Sequence, residues 1–382
     1  MQHNILILDN ELEMGGKEKL LYQFIERVDR SRFRIVVCCL KRGGFYQKPI
    51  QALGVPFYDG LLRHRYDALA FRSLARIMRA ERIDMIETFA HPNTVLLSFL
   101  ARQQGLAERV VVSHHAVGSA HRARVIPSYT LPVLRRMDAH LAVAEAQRRY
   151  LVDVEKLPAA RVHLIYNGVD AAQYHPATPE ERAAARSLLG IADAELVIMA
   201  VGSLKPLKGF DVLIRSAAAV LHARPAARLV FVGDGVDRAL LQALAKEQGV
   251  ADQVVFAGLR DDVDVVLRAA DVLALSSRTE ALPTVILEAM ATALPVVATR
   301  VGGVPELVEP DRTALLVPPN DEAALRTALE RVADAPDLRR SMGARGRALV
   351  EARFKLERMV EAREALFEKV LGGSTVSVVN GS

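Results

Sequence analysis

The chain has 382 residues, of which 51% are hydrophobic and 25% are charged. This balance is typical of a soluble globular protein and excludes a disordered or fibrous one. The length is too great for one ordinary core, so we expect two domains with a ligand site in the cleft between them. A net charge of only +5, the absence of Trp and 5% aromatic residues argue against nucleic-acid binding, which needs a basic field and stacking side chains.

The positive charge is concentrated in the first part of the chain. Residues 1–170 carry 25 Lys and Arg against 17 Asp and Glu, whereas the remainder carries 25 against 28. Such an excess can attract an anionic lipid surface or an acidic acceptor. Scattered basic residues on a solvated surface are the simpler alternative.

The sequence carries no sign of export or of membrane insertion. The stretch MQHNILILDNELEMGG has no basic start and no small-residue cleavage site, so we expect no signal peptide. No apolar run approaches the roughly 18 residues of a membrane span. Cys38 and Cys39 are adjacent within RIVVCCL and are expected to be buried thiols rather than a disulfide or a metal site. We therefore predict a cytoplasmic protein without a bound metal.

Short apolar stretches rich in β-branched residues alternate with helical patterns along the chain. Unbroken stretches of this kind predict strands covered on both faces, as in parallel sheets flanked by helices. In the first part they are residues 4–8, 34–40, 83–88, 109–113, 139–144 and 162–166. After a polar segment they resume at 195–201, 228–233, 253–258, 271–276, 295–299 and 314–318. We predict two doubly wound α/β domains, residues 1–170 and 171–353.

Open parallel sheets bind ligands beyond the carboxyl ends of their strands, so the residues that follow each strand are candidates. Gly15 and Gly16 follow the first strand and precede a helical pattern, where backbone N–H groups can approach an anion. An ordinary turn is the alternative, because no third glycine completes a dinucleotide-binding fingerprint. The missing glycine also argues against a nicotinamide-dependent dehydrogenase.

The second domain offers two lysines and a glycine turn after its strands. Lys205 and Lys208 stand where a strand gives way to a helix, and a lysine there can neutralise phosphate. Solvated loop lysines are the alternative, which is weaker for Lys208 because it directly precedes Gly209 and the helix. In VGDGVDRALLQAL, Gly233 begins a turn in which Asp234 is expected to cap the next helix. The aspartates of LRDDVDVVL are likewise interpreted as helix caps rather than metal ligands.

Two glutamates stand out in the stretch SSRTEALPTVILEAM, residues 276–290. Pro283 suits the first turn of a helix, which places Glu280 in the preceding loop and Glu288 about a turn and a half inside the helix. Glu280 would then lie beside free N–H groups that can hold a phosphate, and Glu288 could accept hydrogen bonds from hydroxyl groups. The alternative makes Glu280 a capping residue and places Glu288 on a solvent-facing stripe.

Several motifs occur together in a characteristic order, including MGGKEK, VHLIYNGVDAAQYHP, VGSLKPLKGFDVLI and SSRTEALPTVILEAMATALPVVATRVGGVPELVEP. Together they resemble glycosyltransferase family 4, retaining enzymes of the GT-B fold. The resemblance spans nearly the whole chain and is densest from about residue 160 to 320. It implies two Rossmann-like domains that face a central cleft, with a last helix at about residues 354–371 that returns to the N-terminal domain.

The resemblance implies a donor site held mainly by the second domain. Glu280 matches the family glutamate that contacts the transferred sugar, and Glu288 matches the one that binds the ribose hydroxyls. Lys208 matches the lysine on the diphosphate. The anion-binding turn beside it is matched by Pro283, Thr284 and Val285. The glycine turn with Gly233 and the turn that commonly meets the base, with Leu259 and Arg260, complete the implied site.

The resemblance also implies contributions from the first domain. Gly15 and Gly16 match the glycines that close over the diphosphate or the acceptor. His115 matches the family histidine near the transferred sugar, with His114 as the alternative one residue earlier. The acceptor-side domain would therefore supply a loop and an imidazole.

Three positions depart from the family pattern. The family usually has arginine where Ser203 stands, so either Lys205 compensates or stabilisation of the leaving group is weaker by about a few kcal/mol. Ala281 replaces the usual glycine after the first glutamate, and Ala144 replaces a common serine. These changes bear on donor geometry and not on the family.

The implied reaction is metal-independent hexosyl transfer with retention, in which the acceptor attacks from the face that the diphosphate leaves. Charge develops on the departing phosphate, so a lysine and oriented N–H groups are appropriate, and no protein nucleophile for a double displacement is evident. The expected donor is a UDP- or GDP-sugar, used as a substrate with no cofactor. The expected acceptor is a glycan or lipid-linked molecule in cell-surface polysaccharide or glycolipid assembly.

Three alternatives remain open at the level of sequence. A degenerate homologue would bind a nucleotide sugar without transferring it; Ser203 favours that interpretation, whereas Lys208, Glu280 and Glu288 argue against it. A sugar phosphorylase would need phosphate as co-substrate. An epimerase would convert the donor without an acceptor.

The segment 63–84 carries arginines on one face of a predicted helix and apolar residues near the other. This pattern fits an interfacial helix on an anionic membrane, and an ordinary core-packed helix with a basic outer face fits it equally well. A peripheral contact with the inner face of the cytoplasmic membrane is therefore a hypothesis. The residues concerned are Arg72, Arg76, Arg79, Phe71, Leu74 and Met78.

Overall fold

The computed structural model describes residues 2–62, 69–115 and 127–372. The chain forms two compact units: unit 1 contains the residues up to Asn167 together with the chain from Glu357 onward, and unit 2 contains Gly168–Leu356. Each unit is built on one parallel β-sheet.

The sheet of unit 1 contains the six predicted strands and one more. The strands are β1 (His3–Asp9), β2 (Phe33–Cys39), β3 (Phe57–Tyr58), β4 (Met85–Phe89), β5 (Arg109–His114), β6 (Ala139–Ala142) and β7 (Val162–Leu164). Their order is β3-β2-β1-β4-β5-β6-β7, and every neighbouring pair is parallel. The sequence did not predict β3, because two half-buried residues carry no apolar pattern.

The sheet of unit 2 contains the six strands predicted for it. They are β8 (Leu196–Val201), β9 (Ala227–Val232), β10 (Val254–Phe256), β11 (Val272–Leu275), β12 (Val296–Thr299) and β13 (Ala314–Val317). Their order is β10-β9-β8-β11-β12-β13, again all parallel. The doubly wound α/β class is therefore confirmed for both units.

Helices connect the strands in both units. Up to β7 they are α1 (Gly16–Arg27), α2 (Gln47–Ala52), α3 (Leu69–Glu81), α4 (Pro92–Gln103), α5 (Leu131–Leu134) and α6 (Glu145–Arg149). The next are α7 (Pro179–Leu188), α8 (Phe210–Ala223), α9 (Arg238–Glu247), α10 (Val263–Leu267) and α11 (Thr284–Ala291). The last are α12 (Val304–Leu307), α13 (Glu322–Asp334), α14 (Pro336–Arg353) and α15 (Leu356–Leu371).

The strand order reverses once in each sheet, and this position is where such folds bind ligands. In unit 1 the reversal lies between β1 and β4, and in unit 2 it lies between β8 and β11. In such folds the loops that follow these two strands leave the carboxyl edge of the sheet in opposite directions, which opens a crevice. The predicted site residues are concentrated in these loops.

From Glu357 onward, α15 belongs to unit 1. Its Phe367 ring is edge-on to Phe24 and to Phe33, with 5.8 Å between ring centroids in each case. Arg363 pairs with the fully buried carboxylate of Glu87 on β4. This helix is therefore part of the core of unit 1.

The basic helix α3 packs its apolar side into unit 1. Leu74 and Met78 are buried, whereas Arg72, Arg76 and Arg79 are exposed. The apolar side is consequently occupied by the protein core, and the arginine side faces solvent. Residues 63–68 of the predicted basic segment lie outside the described residues.

Candidate functional site

Lys208 and Glu280 meet at the strand reversal of unit 2. Lys208 ends a short 3-10 turn, Pro206–Lys208, that follows β8, and Glu280 lies in the loop that follows β11. Lys208 Nζ is 2.7 Å from Glu280 Oε1, and the Ser277 hydroxyl donates to the same oxygen at 2.6 Å. The two charged side chains are 24% and 11% exposed, so the ion pair is partly shielded from water.

Gly209 allows the loop of Lys208 to approach the loop of Glu280. Its φ is +60°, and a Cβ at this position would lie 2.3 Å from the carbonyl oxygen of Ser276. The Ser276 hydroxyl donates to the Lys208 carbonyl at 3.0 Å. A residue with a side chain would strain the backbone and separate the two loops.

The loop of Glu280 is also held from the side of β12. Gly302 has φ +51°, and a Cβ there would lie 1.7 Å from the Glu280 carbonyl oxygen. The Gly303 N–H donates to the Ala281 carbonyl at 2.9 Å. The glycine pair of VGGVPE, shortly after a predicted strand, is the sequence signal that could have indicated this support.

Helix α11 begins beside this loop. Pro283 immediately precedes it, no side chain caps its first turn, and every residue from Val285 to Ala291 is buried. Glu288 is only 6% exposed, so the alternative that placed it on a solvent-facing stripe is wrong. Glu280 does not cap the helix either, because its carboxylate is bound by Lys208 and Ser277.

The predicted glycine turn brings the ends of β8, β9 and β10 close together. Gly233 has φ +136°, and a Cβ there would lie 2.1 Å from the Gly202 carbonyl oxygen. Its N–H donates to the Gly258 carbonyl at 2.8 Å. Leu259 follows on the next turn and is 64% exposed, so a large apolar side chain is presented to solvent at this edge of the sheet.

The remaining residues of unit 2 that are predicted to bind the sugar nucleotide surround this edge. Arg260 Nε donates to Asp262 Oδ1 at 2.7 Å. Lys205 is exposed and precedes the 3-10 turn, and Ser203 is half-buried. Thr284 and Val285 form the first turn of α11, where backbone N–H groups have no helical carbonyl to bind.

The expected helix caps are only partly correct. Asp237, and not Asp234, precedes α9, while Asp234 accepts from the Gly235 N–H at 2.7 Å and from Arg238 at 2.9 Å. Asp262 does precede α10 but makes no capping hydrogen bond, because its carboxylate is bound by Arg260. In both cases an arginine side chain binds the carboxylate, at Asp234 together with the Gly235 N–H, and charge-assisted hydrogen bonds of this kind are the stronger ones.

In unit 1 the glycine pair lies at the start of α1. Gly15 precedes the helix and Gly16 is its first residue. Lys17 Nζ is 2.6 Å from Asp9 Oδ2 and 3.1 Å from Glu18 Oε1, and it lies 4.5 Å from the centroid of the Phe89 ring. Lys17 was not among the predicted site residues, although a cation in a first helical turn is unfavourable unless carboxylates accompany it.

His115 follows β5 and shares a pocket with groups from several elements. Its ring centroid is 5.5 Å from that of Phe89, and Lys17, Asn167 and Arg363 line the same pocket. Burial, together with the charges of Lys17 and Arg363, lowers the pKa of His115 to about 3. The imidazole is therefore neutral at physiological pH.

His114, the alternative to His115, is buried in the sheet. Its Nε2 lies 3.1 Å from His140 Nδ1, and His140 Nε2 lies 3.1 Å from the Leu134 carbonyl. Burial and the adjacent histidines hold the pKa of His114 well below its usual range, and burial lowers that of His140 to about 4. Of the two neighbours, it is His115 that lines the pocket.

The described residues, 2–62, 69–115 and 127–372, contain neither a candidate metal cluster nor an apolar helix of membrane-spanning length. No group of three or more His, Cys, Asp or Glu side chains in these ranges is arranged to hold a metal ion. Within the same ranges, no helix is both long and apolar enough to cross a membrane.

Comparison with known families gives matches over most of the chain. Residues 14–173 match Glycosyltransferase Family 4, and residues 181–349 match Glycosyl transferases group 1. A GDP-mannose-dependent monoacylated alpha-(1-6)-phosphatidylinositol monomannoside mannosyltransferase of Corynebacterium glutamicum is 35% identical over 303 residues, which cover 76% of this chain and 77% of that one. A D-inositol 3-phosphate glycosyltransferase of Saccharomonospora viridis is 33% identical over 297 residues, covering 72% and 68%.

Solved structures share the arrangement of strands and helices. Anabaena HepE in complex with UDP-glucose superposes with a TM-score of 0.84 at 22% identity and covers 96% of this chain and 99% of that one. WaaG, a glycosyltransferase involved in lipopolysaccharide biosynthesis, gives 0.76 at 18% identity and covers 94% and 99%. The two Rossmann-like units therefore define the GT-B fold. The chain is a glycosyltransferase and belongs to glycosyltransferase family 4.

Proposed function

We propose that the protein transfers a hexosyl group from a UDP- or GDP-sugar to a glycan or lipid-linked acceptor, with retention of configuration and without a metal ion. Unit 2 holds the donor and unit 1 the acceptor in this proposal. The observation that carries it is the contact of 2.7 Å between Lys208 Nζ and Glu280 Oε1 at the strand reversal of unit 2.

Several groups beside this pair would bind the donor diphosphate. Lys208 supplies a positive charge, and the N–H groups of Thr284 and Val285 open an eight-residue helix whose first turn has no side-chain cap. A helix N-terminus favours an anion through its dipole and its unsatisfied donors. These groups would stabilise the charge that develops on the departing phosphate. Lys205 is exposed nearby in the chain and would reinforce them where the family arginine is replaced by Ser203.

The two glutamates have different surroundings, which supports different roles. Glu280 accepts hydrogen bonds from Lys208 and Ser277 at the open edge of the sheet, so it can exchange these partners for sugar hydroxyls. Glu288 is buried within α11 and would bind the ribose hydroxyls. The exposed Leu259 with Arg260, on the turn after β10, would meet the base, and the Gly233 turn would let the donor approach the backbone.

The surroundings of Glu280 argue against a double displacement as the route to retention. Its Oε1 already accepts from an ammonium group and a hydroxyl, and both interactions lower its nucleophilicity. We propose instead that the acceptor attacks from the face that the diphosphate leaves, and that a phosphate oxygen takes the acceptor proton. Neutral His115 would hydrogen-bond the transferred sugar, and Gly15 and Gly16 would approach the diphosphate or the acceptor.

The relatives suggest which substrates to try first. The mannosyltransferase of C. glutamicum is named for GDP-mannose, and HepE was solved with UDP-glucose, so these are the first donors. Inositol phosphates and phosphatidylinositol mannosides are the first acceptors by the same reasoning.

A membrane contact would be electrostatic. Since the apolar side of α3 is buried, the exposed Arg72, Arg76 and Arg79 remain to attract anionic lipid at the inner face of the cytoplasmic membrane. Such attraction is worth about 1 kcal/mol per basic residue. Binding to anionic vesicles at low salt, reduced by replacing the three arginines with glutamine, is expected; no sedimentation with the vesicles would refute the contact.

The proposed reaction is tested by a transfer assay with GDP-mannose and UDP-glucose in the presence of EDTA. The account predicts product formation with the chelator and an α-linked product in the proton NMR spectrum, since both donors are α-anomers. Loss of activity restored by a divalent cation would contradict metal independence, and a β-linked product would contradict retention. Activity that requires inorganic phosphate would indicate a phosphorylase, and conversion of the donor alone would indicate an epimerase. Donor binding without turnover would indicate a degenerate homologue.

A further inference from the structure

We propose that Arg278 is a positioning residue that fixes the Lys208 loop against the Glu280 loop and thereby sets where Lys208 meets the donor diphosphate. This inference rests on the proposed function and adds a residue that acts through Lys208 and Glu280 rather than on the substrate. Arg278 lies two residues before Glu280 in the loop after β11.

One guanidinium group joins three separate segments of unit 2. Arg278 Nε donates to Asn320 Oδ1 at 2.8 Å, Nη2 donates to Asp211 Oδ2 at 2.8 Å, and Nη1 donates to the Pro206 carbonyl. The backbone N–H of Arg278 donates to the Leu207 carbonyl at 2.8 Å. The loop of Glu280 is therefore attached twice to the short turn that ends at Lys208.

The partners are built for this geometry. Asp211 lies in the first turn of α8, where the helix dipole favours a carboxylate. Burial opposes ionisation of Asp211, but hydrogen bonding and charge from Arg278 hold its pKa below the usual value. Asn320 has φ +59°, a conformation that asparagine tolerates better than most residues, and it presents its side-chain oxygen to Nε.

An arginine is required because its donors have fixed directions in one plane. A lysine has a single mobile ammonium group and cannot bridge Pro206, Asp211 and Asn320 together. Without the bridge, the two loops would have to be ordered by the substrate, and the lost conformational freedom would reduce affinity. The expected loss of affinity is therefore confined to ligands that contact Lys208.

The test is isothermal titration of UDP and GDP, with uridine and guanosine as reference ligands that lack phosphate. Arg278→Ala and Arg278→Lys are expected to weaken diphosphate binding about tenfold, which corresponds to about 1.4 kcal/mol, and to leave nucleoside binding unchanged. Lys208→Ala should weaken diphosphate binding by itself. In the Lys208→Ala background, Arg278→Ala should have no further effect on diphosphate affinity.

Arg186→Ala is a matched control. Its guanidinium also bridges separate segments, donating to Asp271 Oδ2 at 2.8 Å and to the Ala194 carbonyl, but it does so beside the amino ends of β11 and β8. This variant should lower the thermal midpoint without changing diphosphate affinity. If Arg278→Ala does not fold, Asp211→Asn and Asn320→Ala each remove one partner, and each should give an intermediate loss.

The outcomes separate this inference from the proposed function. The positioning role would be overturned if the Arg278 variants bound diphosphates normally, or if they lost nucleoside affinity to the same extent. It would also be overturned if Arg278→Ala reduced diphosphate affinity as much in the Lys208→Ala background as in the original protein. Diphosphate binding that is insensitive to Lys208→Ala would instead overturn the role of Lys208 itself. Weak diphosphate binding in both Lys208→Ala and Arg278→Ala, with no additivity, is the result that the inference predicts.

Discussion

Lys208 and Glu280, 72 residues apart in the chain, form an ion pair of 2.7 Å at the carboxyl edge of two neighbouring strands. Each charge is compensated by the other. A donor must therefore replace this pair with its own phosphate and hydroxyl groups, so its affinity is the difference between two sets of polar interactions. The pair also keeps both side chains close to the positions where the proposed reaction needs them.

Removing one member of this pair should destabilise the protein. Lys208→Ala leaves the Glu280 carboxylate, 11% exposed, with the Ser277 hydroxyl, and we expect the free energy of unfolding to fall by about 1–3 kcal/mol. Adding Glu280→Gln removes the uncompensated charge, so the double variant should lose less stability than the two single variants summed. Urea denaturation followed by circular dichroism measures the three values; strict additivity would contradict the coupling.

Gly302 should tolerate no side chain. Gly302→Ala places a Cβ 1.7 Å from the Glu280 carbonyl oxygen at φ +51°, so the loop must move. Gly190→Ala is the matched control, because φ is +68° and nothing lies within 4 Å of the added Cβ. We expect the control to cost about 1–2 kcal/mol from backbone strain alone and Gly302→Ala to cost more and to weaken donor binding. Equal effects in thermal unfolding and in titration would show that the close approach has no consequence.

The buried pair that attaches α15 to unit 1 should be sensitive to removal of its cation. Arg363 Nε lies 3.2 Å from Glu87 Oε2, and Glu87 is 0% exposed, so Arg363→Ala leaves a buried carboxylate unpaired. The expected cost is about 3–5 kcal/mol, and Arg363→Met combined with Glu87→Leu should recover most of it.

Arg32→Ala is the control for this prediction, because it also removes a contact with α15. Its guanidinium is 39% exposed and pairs with Glu368, which is 55% exposed, and with Glu364, which is 9% exposed but also accepts from the Asp29 N–H. Because the arginine is open to solvent and neither carboxylate is left both buried and without a donor, we expect a loss of about 1 kcal/mol. The midpoints of chemical denaturation compare the variants. A similar cost for Arg32→Ala and Arg363→Ala would contradict the importance of burial.

The buried histidine pair should make stability depend on mild acid. His114 and His140 are neutral in the folded state because burial lowers their pKa values, that of His140 to about 4, whereas both take up a proton near pH 6.5 when unfolded. The contribution of the neutral histidines to the free energy of unfolding is therefore complete above about pH 6.5. It is lost as the pH falls toward 4, by up to about 1.4 kcal/mol per pH unit for each histidine.

Thermal midpoints between pH 7.5 and 5 test this dependence. His140→Gln should flatten the curve because it removes one titrating group, and His222→Gln, at an exposed position, should leave the slope unchanged. A curve for His140→Gln as steep as that of the original protein would rule out the explanation.

The strands could be predicted because buried parallel strands need continuous apolar residues, as in ELVIMAV before Gly202. β3 escaped because Phe57–Tyr58 is too short to show any pattern. Helix boundaries were less secure where an arginine competes with the backbone, as at Asp234 and Asp262. The pattern of burial thus determines the sheets, whereas local polar chemistry determines the caps.

The candidate site was only partly predictable for a related reason. That Lys208 and Glu280 follow strands indicates a shared edge of the sheet, but their contact depends on Gly209 and Gly302, whose missing side chains allow loops distant in sequence to touch. Arg278 carried no sequence signal, because an arginine in a polar loop has neither periodicity nor a fixed partner. Such residues are recognised only when the fold shows what they join.

The most direct test of the account is donor binding to the intact chain, measured as a thermal shift with UDP-glucose, GDP-mannose and the corresponding ADP- and TDP-sugars. A ligand that binds only the folded state must raise the midpoint. The account predicts that one of these nucleotide sugars stabilises the protein and the variant Glu195→Ala, which changes an exposed residue before β8, but does not stabilise Glu288→Ala. No shift with any donor at millimolar concentration, or an equal shift in Glu288→Ala, would contradict the proposed donor site.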